Sequence, residues 1–134
     1  MSGVKFTLLK RIFTENGDVL RGLKSSELDF EKFGEAYFSF VKYEKIKGWK
    51  LHKKMDMNLL VPVGDIQFHI YDENNEYQTF RINKDNYGRL MIPAGHWVAF
   101  EGKGKGDNVL LNIASIEHDP TESLTMDISK LDIK

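Results

Sequence analysis

Residues 59–82 read LLVPVGDIQFHIYDENNEYQTFRI, and this stretch decides the fold class. Ile66, Phe68 and Ile70 alternate with Gln67, His69 and Tyr71. Successive side chains of an extended strand point to opposite faces, so the first three share one face and the last three the other. Asp72-Glu73-Asn74-Asn75 follows as turn chemistry, because Asn and Asp tolerate the positive-φ conformations of tight turns. Aromatic and β-branched residues resume at Tyr77 and run to Ile82. Two strands, at 65–71 and 77–82, joined by a turn, with a third ahead of them at 58–62, are the natural reading.

The same texture extends both ways along the chain. Helical periodicity is scarce, while short runs of β-branched and aromatic residues recur between Gly, Asn and Asp punctuation. That pattern predicts an all-β sandwich or barrel with further strands at 5–13, 36–42, 49–53, 89–92, 97–101 and 109–115. Loops are expected at 15–18 and 102–106. The run 103–107 lacks the strand, turn and helix context of a phosphate-cradling loop and reads as a hairpin tip. The tail 121–134 is polar with spaced Leu, Met and Ile, which fits a short helix or a strand laid on a partner equally well.

At 134 residues, with 41% hydrophobic and 29% charged side chains, the chain has the size and composition of a single globular domain spanning 1–134. A net charge of -1 supplies no field to gather nucleic acid or an anionic membrane, so neither is expected as a partner. With no Cys there is neither a disulfide framework nor a zinc-thiolate site. The apolar stretch before Lys10 and Arg11 is too short for a signal-peptide core or a membrane span, and a cytoplasmic location is the expectation.

Alternation in the strand at 49–53 projects Lys50 and His52 together, away from Trp49 and Leu51. In 109–115, Asn112 shares a face with Leu110 and Ala114, which places a polar amide among apolar neighbours. Polar groups on the inner face of a barrel are expected to serve a ligand, because leaving them buried and unpaired costs about 1–3 kcal/mol each. Bland readings stand beside these. Lys50 with Lys53 and Lys54 also makes a basic surface run. His69 suits a surface or a satisfied cross-strand residue and His96 a turn residue beside Pro93 and Gly95, while Trp49 and Trp97 suit core or interface anchors.

In chain order, Ile46-Lys47-Gly48-Trp49-Lys50-Leu51-His52, then residues 59–72, Gln78-Thr79-Phe80, Asp85-Asn86, Leu90-Met91-Ile92-Pro93-Ala94-Gly95 and Asp119-Pro120 resemble the dTDP-4-dehydrorhamnose 3,5-epimerase family of cupins. The resemblance covers roughly residues 8–122, with Gly17-Asp18 and Arg21-Gly22 similar to the family's opening stretch. The same register resembles the related WxcM-like dTDP-sugar 3,4-ketoisomerases, whose two His separated by one residue fall on Lys50 and His52, followed by Lys53.

The resemblance implies a cupin-type double-stranded β-helix, or jelly-roll, barrel that forms a homodimer through exchanged N-terminal strands. It also implies a nucleotide-sugar ligand, dTDP-linked, and a place in surface-polysaccharide sugar biosynthesis. The family needs no cofactor: a base removes the proton beside a ketone and an acid returns it, which requires a base poised near neutral pH. On this reading Lys50, His52 and His118 are the candidate catalytic residues. Tyr71, Asn112, Trp97 and Lys53 are the candidates for binding substrate, Tyr71 being also a possible proton donor.

The chain departs from the family at several positions. The family's catalytic His falls at Lys50, its Tyr acid at Asn112, and an Arg expected after the Asp72 strand is replaced by Asn74. The acidic partner that orients the His lies, in longer epimerases, in a C-terminal region that this chain is too short to include. Lys50 would serve as a base if desolvated, or as a fixed cation for an enolate or a phosphate. No metal is expected, because the cupin ligand positions hold Lys50, His52, no suitably placed Glu, and Val98. Three functions follow: an epimerase, a 3,4-ketoisomerase, or a non-catalytic sugar-binding cupin. An exposed edge strand independently argues for a homodimer.

Overall fold

The structure is a computed structural model and describes residues 3–134. Its strands are β1 (Lys5–Leu8), β2 (Arg11–Ile12), β3 (Val19–Leu20), β4 (Glu35–Phe40), β5 (Ile46–His52), β6 (Met57–Val63), β7 (Ile66–Tyr71), β8 (Tyr77–Ile82), β9 (Gly88–Ile92), β10 (Trp97–Gly102), β11 (Val109–Ala114) and β12 (Ser123–Thr125). Single 3-10 turns lie at Lys84–Asn86 and Ile128–Lys130. The fold is all-β.

Two five-stranded antiparallel sheets carry the structure, one ordered β1-β9-β6-β11-β4 and the other β12-β5-β10-β7-β8. The stretch 59–82 supplies β7 and β8, paired from Ile66 opposite Ile82 to Tyr71 opposite Tyr77. Asp72 closes their turn by accepting the amides of Asn74 and Glu76 on its carboxylate. The expected strand at 5–13 is divided. Lys5–Leu8 pairs with β9, whereas Arg11–Ile12 turns away to form a separate hairpin with β3, tied by Arg11 Nε donating to Asp18 Oδ2 at 2.7 Å.

Alternation packs the sheets face to face. Ile66, Phe68 and Ile70 of β7 are fully buried with Leu59 and Val61 of β6, Leu90 and Ile92 of β9, and Ile82 of β8. Phe6 of β1 meets Phe80 of β8, with ring centroids 6.0 Å apart, across the same layer. Burying each such side chain contributes about 1.5–3 kcal/mol. This packing fills the β1, β9, β7, β8 side of the sandwich. The other side, bounded by β4, β11, β5 and β10, stays open.

Both outer faces are partly covered. On the second sheet, Trp49, Tyr71 and Ala99 pack beneath Met126, Ile128, Leu131 and Ile133 of the tail. The tail holds both a short strand and a single 3-10 turn: β12 adds to β5 of its own chain, and Trp49 donates its indole N–H to the carbonyl of Ile128 in that turn. On the first sheet, fully buried Arg89 donates to Asn58 Oδ1 at 2.6 Å and to both oxygens of Asp29, pinning the segment between β3 and β4. No helix among the described residues is long and apolar enough to cross a membrane.

Candidate functional site

The open side of the sandwich is a cavity of about 290 Å³. Tyr37 and Ser39 of β4, Met57 and Leu59 of β6, and Leu110 and Asn112 of β11 form one wall; Lys47, Gly48, Trp49, Lys50 and His52 of β5, Val98 and Phe100 of β10, and Thr125 of β12 form the other. The lining is mostly apolar with a few convergent polar groups, which is the composition of a small-molecule site.

A bulge shapes the β5 wall. Val98 stands opposite Lys50, yet Phe100 stands opposite Lys47, so one extra residue of β5 is accommodated beside Ala99. Unbroken alternation would set Lys47 on the Trp49 face; the extra residue returns it to the cavity with Lys50 and His52. Gly48 makes the bulge feasible. Its φ is +147°, and a Cβ there would lie 2.7 Å from the Ala99 methyl and 2.8 Å from the Ala99 Cα. Lys47 Nζ then reaches across to Ser39 Oγ at 2.7 Å and to the Phe40 carbonyl at 3.2 Å.

His52 is buried, and its Nδ1 is hydrogen-bonded to Glu122 Oε1. Glu122 precedes β12, whose pairing of Ser123 opposite His52 delivers the carboxylate to the ring. The other carboxylate oxygen accepts the Lys54 amide at 3.0 Å and the Met55 amide at 3.3 Å. Burial alone would raise the pKa of Glu122, but the His52 ring and the two amides outweigh it and hold the carboxyl below its ordinary value. In the neutral form of the ring an ionised Glu122 selects the tautomer: Nδ1–H donates to it, and Nε2 is left as the unprotonated acceptor. No described residue hydrogen-bonds Nε2.

On the opposite wall Asn112 stands directly across from Tyr37 and donates Nδ2–H to the Tyr37 hydroxyl oxygen at 2.9 Å. The phenol proton is thereby free to point elsewhere. A carboxylate-backed imidazole on one sheet and a phenol on the other bracket the cavity, an arrangement able to take a proton from a ligand and return one.

Of the seven residues expected from the sequence, Lys50, His52 and Asn112 line the cavity and four do not. Tyr71 and Trp97 lie on the outer face of their sheet against the tail, because β7 and β10 point Ile70 and Val98 inward. The Tyr71 hydroxyl donates to the Asp132 carbonyl at 2.7 Å, and burial, then the Asp132 charge, raises its pKa, which makes it a poor proton donor. Lys53 follows the end of β5 with an exposed side chain, and only its backbone N–H reaches the site's scaffold, at the Glu122 carbonyl. His118 is exposed beyond β11, its amide held by Glu35 Oε1. Lys50 lines the cavity at its rim, with its side chain exposed.

Tyr37, Lys47 and Glu122 belong to the site without being among the residues expected from the sequence. Tyr37 was discoverable by alternation in β4, where Tyr37 and Ser39 share a face. Lys47 required the bulge. Glu122 corrects the expectation that the chain is too short for an acidic partner: one is present, delivered by the paired tail. Of the two settings expected for His69, the structure shows the satisfied cross-strand one and not the surface one: it is buried and hydrogen-bonded to Tyr77 and to Glu101. His96 sits in its turn, with Nδ1 bonded to the Pro93 carbonyl. No three His, Cys, Asp or Glu side chains gather closely enough to hold a metal ion among the described residues.

Comparison with known proteins places these features in context. A family model described as WxcM-like, C-terminal (FdtA) matches residues 2–128. A dTDP sugar isomerase from Desulfovibrio desulfuricans G20 superposes with a TM-score of 0.93 at 31% identity, over 99% of this chain and 90% of that one. QdtA, a sugar 3,4-ketoisomerase from Thermoanaerobacterium thermosaccharolyticum solved with TDP, gives 0.78 at 22% identity over 92% and 88% of the two chains. A dTDP-4-dehydrorhamnose 3,5-epimerase from Sulfolobus tokodaii gives 0.85 at 19% identity over 99% and 82%. The last two share the fold. No curated protein matches the chain by sequence.

Proposed function

The chain belongs to the WxcM-like, C-terminal family, and from that premise we propose that it is a cofactor-independent isomerase of a dTDP-linked 4-keto-6-deoxyhexose. The observation that carries this reading is the bracketing of one cavity by His52, backed by Glu122, and by Tyr37 on the facing sheet. The 31%-identical dTDP sugar isomerase supports the substrate class.

In the proposed chemistry, Nε2 of neutral His52 takes the proton from the carbon beside the ketone. The C–H electrons become the carbon–carbon double bond, and the carbonyl oxygen takes up the charge and then a proton from Tyr37. For keto migration the neighbouring hydroxyl gives up its proton to the Tyr37 phenolate, its oxygen becomes the new carbonyl, and His52, once its Nε2–H has exchanged with solvent, protonates the former carbonyl carbon. Net, one C–H bond is lost at the carbinol carbon and one formed at the former carbonyl carbon, one O–H bond moves to the former carbonyl oxygen, and no electrons leave the sugar. Lys50 at the rim, with Lys47, faces the anionic part of the ligand.

Epimerisation is the second reading, favoured by Tyr37 and His52 standing on opposite sheets, since inversion needs proton donor and acceptor on opposite faces of the ring. Product analysis after incubation with dTDP-4-keto-6-deoxyglucose in heavy water separates the two. Keto migration puts the carbonyl on the adjacent carbon, whereas epimerisation leaves it in place and inverts a deuterated neighbour. Recovery of unlabelled, unchanged sugar would instead support the non-catalytic sugar-binding module.

We read the two facing sheets as the walls of a cupin-type jelly-roll barrel in one domain. The same reading extends to a homodimer, supported by Phe38 and Phe40, 64% and 60% exposed on the outer side of edge strand β4. Light scattering at a mass of two chains tests it; a mass of one chain at all concentrations contradicts it.

A further inference from the structure

We propose that Asn112 determines specificity by reading a ring hydroxyl of the sugar, its Oδ1 accepting that hydroxyl's hydrogen bond while its Nδ2 holds the Tyr37 oxygen; this rests on the nucleotide-sugar reading above. The two ends of the amide have unequal fates. Nδ2 donates to the Tyr37 hydroxyl at 2.9 Å and lies 3.8 Å from Met55 Sδ, while Oδ1 is sealed from solvent with no hydrogen-bond partner among the described residues.

Four buried side-chain atoms share that condition among the described residues: Thr7 Oγ1, Arg89 Nε, His96 Nε2 and Asn112 Oδ1. Of these only Asn112 belongs to a residue lining the cavity. It is 1% exposed and shares its strand face with Leu110 and Ala114, opposite Leu59 on one side and Tyr37 on the other. An apolar residue would fill that place without stranding an acceptor, so an amide there is explained by a donor that arrives with the ligand.

A keto-deoxyhexose offers few such donors. Its carbonyl and its terminal methyl have none, and the ring hydroxyls are the neutral O–H groups that fit a cavity wall of Leu and Met. Because the same amide grips the phenol that serves the reacting carbons, the hydroxyl within reach of Oδ1 sits on the carbon next to them. A sugar deoxygenated at that carbon would leave Oδ1 stranded, and a site built to bond a hydroxyl discriminates against the analogue that lacks it.

Binding without turnover tests this. Calorimetric affinities are measured for TDP, dTDP-6-deoxyglucose and its 2,6-dideoxy counterpart against the wild type, Asn112→Leu and Tyr37→Phe. The wild type is expected to prefer the hydroxylated sugar about tenfold. Asn112→Leu should bring that ratio to within about twofold while its affinity for TDP is unchanged. Tyr37→Phe, which leaves the amide in place and does not depend on Asn112→Leu folding, should keep the tenfold ratio. A ratio undiminished in Asn112→Leu, absent in the wild type, or erased by Tyr37→Phe overturns the assignment to Asn112. Failure of the wild type to bind any of the three nucleotides overturns the parent reading and the assignment with it.

Discussion

Glu122 Oε1 is hydrogen-bonded to Nδ1 of His52 across 70 residues of chain, and the carboxylate's other oxygen is occupied by the amides of Lys54 and Met55. The tail is therefore part of the site. Pairing β12 to β5 places the acid, and the apolar contacts of Met126, Ile128, Leu131 and Ile133 with Trp49 and Tyr71 keep β12 in place.

Glu122→Gln is predicted to lower turnover of the keto-sugar by roughly 100-fold or more, because a neutral amide no longer selects the Nδ1–H tautomer that frees Nε2. TDP affinity should be unchanged, so the loss lies in kcat. The substitution also alters the acid limb of stability. The folded pKa of Glu122 is depressed, so its stabilisation is fully present above the ordinary Glu value of about 4.3 and is lost as pH falls through the folded value. Chemical denaturation of the two proteins should therefore differ most near neutrality, by about 1–3 kcal/mol, and converge in acid.

Tyr37→Phe is predicted to keep the fold and the affinity for TDP while slowing sugar conversion by about 100-fold to 10,000-fold. Steady-state kinetics with the dTDP-4-keto-6-deoxyhexose would register this as a fall in kcat with little change in KM. A change of similar size confined to KM would place the phenol in binding alone.

Lys50→Ala is predicted to weaken nucleotide binding by no more than about tenfold, since an exposed cation is screened by water and salt. The wild-type advantage should shrink as ionic strength rises. A salt-independent loss of several orders of magnitude would show that Lys50 is desolvated in the bound state and acts in the chemistry itself.

Arg89→Met tests the frame rather than the site. Arg89 is fully buried against Asn58 and Asp29, and its guanidinium holds the Asp29 carboxyl below the usual range. Removing it strands Asp29, which should cost about 3–5 kcal/mol in denaturant unfolding. Asp29→Asn in the Arg89→Met background should recover part of that loss.

Much of this architecture was legible in the chain. The alternation of 66–71 and the turn at 72–75 specify β8 to the residue and β7 to within one residue at its start, because period-two patterning and local turn chemistry are properties of adjacent residues. The same rule turned Lys50, His52 and Asn112 toward one cavity. It misled where geometry is not local. The bulge at Gly48 brings Lys47 inward, and nothing in the alternation reports an extra residue. Tyr71 and Trp97 carry the aromatic chemistry of a ligand site, yet they belong to the face that the tail covers. Glu122 acquires its meaning from a pairing between segments far apart in sequence, which no neighbouring residue encodes.

In the proposed chemistry Nε2 of His52 takes a proton from the carbon beside a ketone. The most direct measurement of that step is the rate of deuterium entry from heavy water into dTDP-4-keto-6-deoxyglucose, compared between the wild type and His52→Asn. Wild-type incorporation should lie well above the uncatalysed exchange and fall by about 100-fold to 10,000-fold in His52→Asn with TDP binding intact. Equal rates in the two proteins would contradict that step.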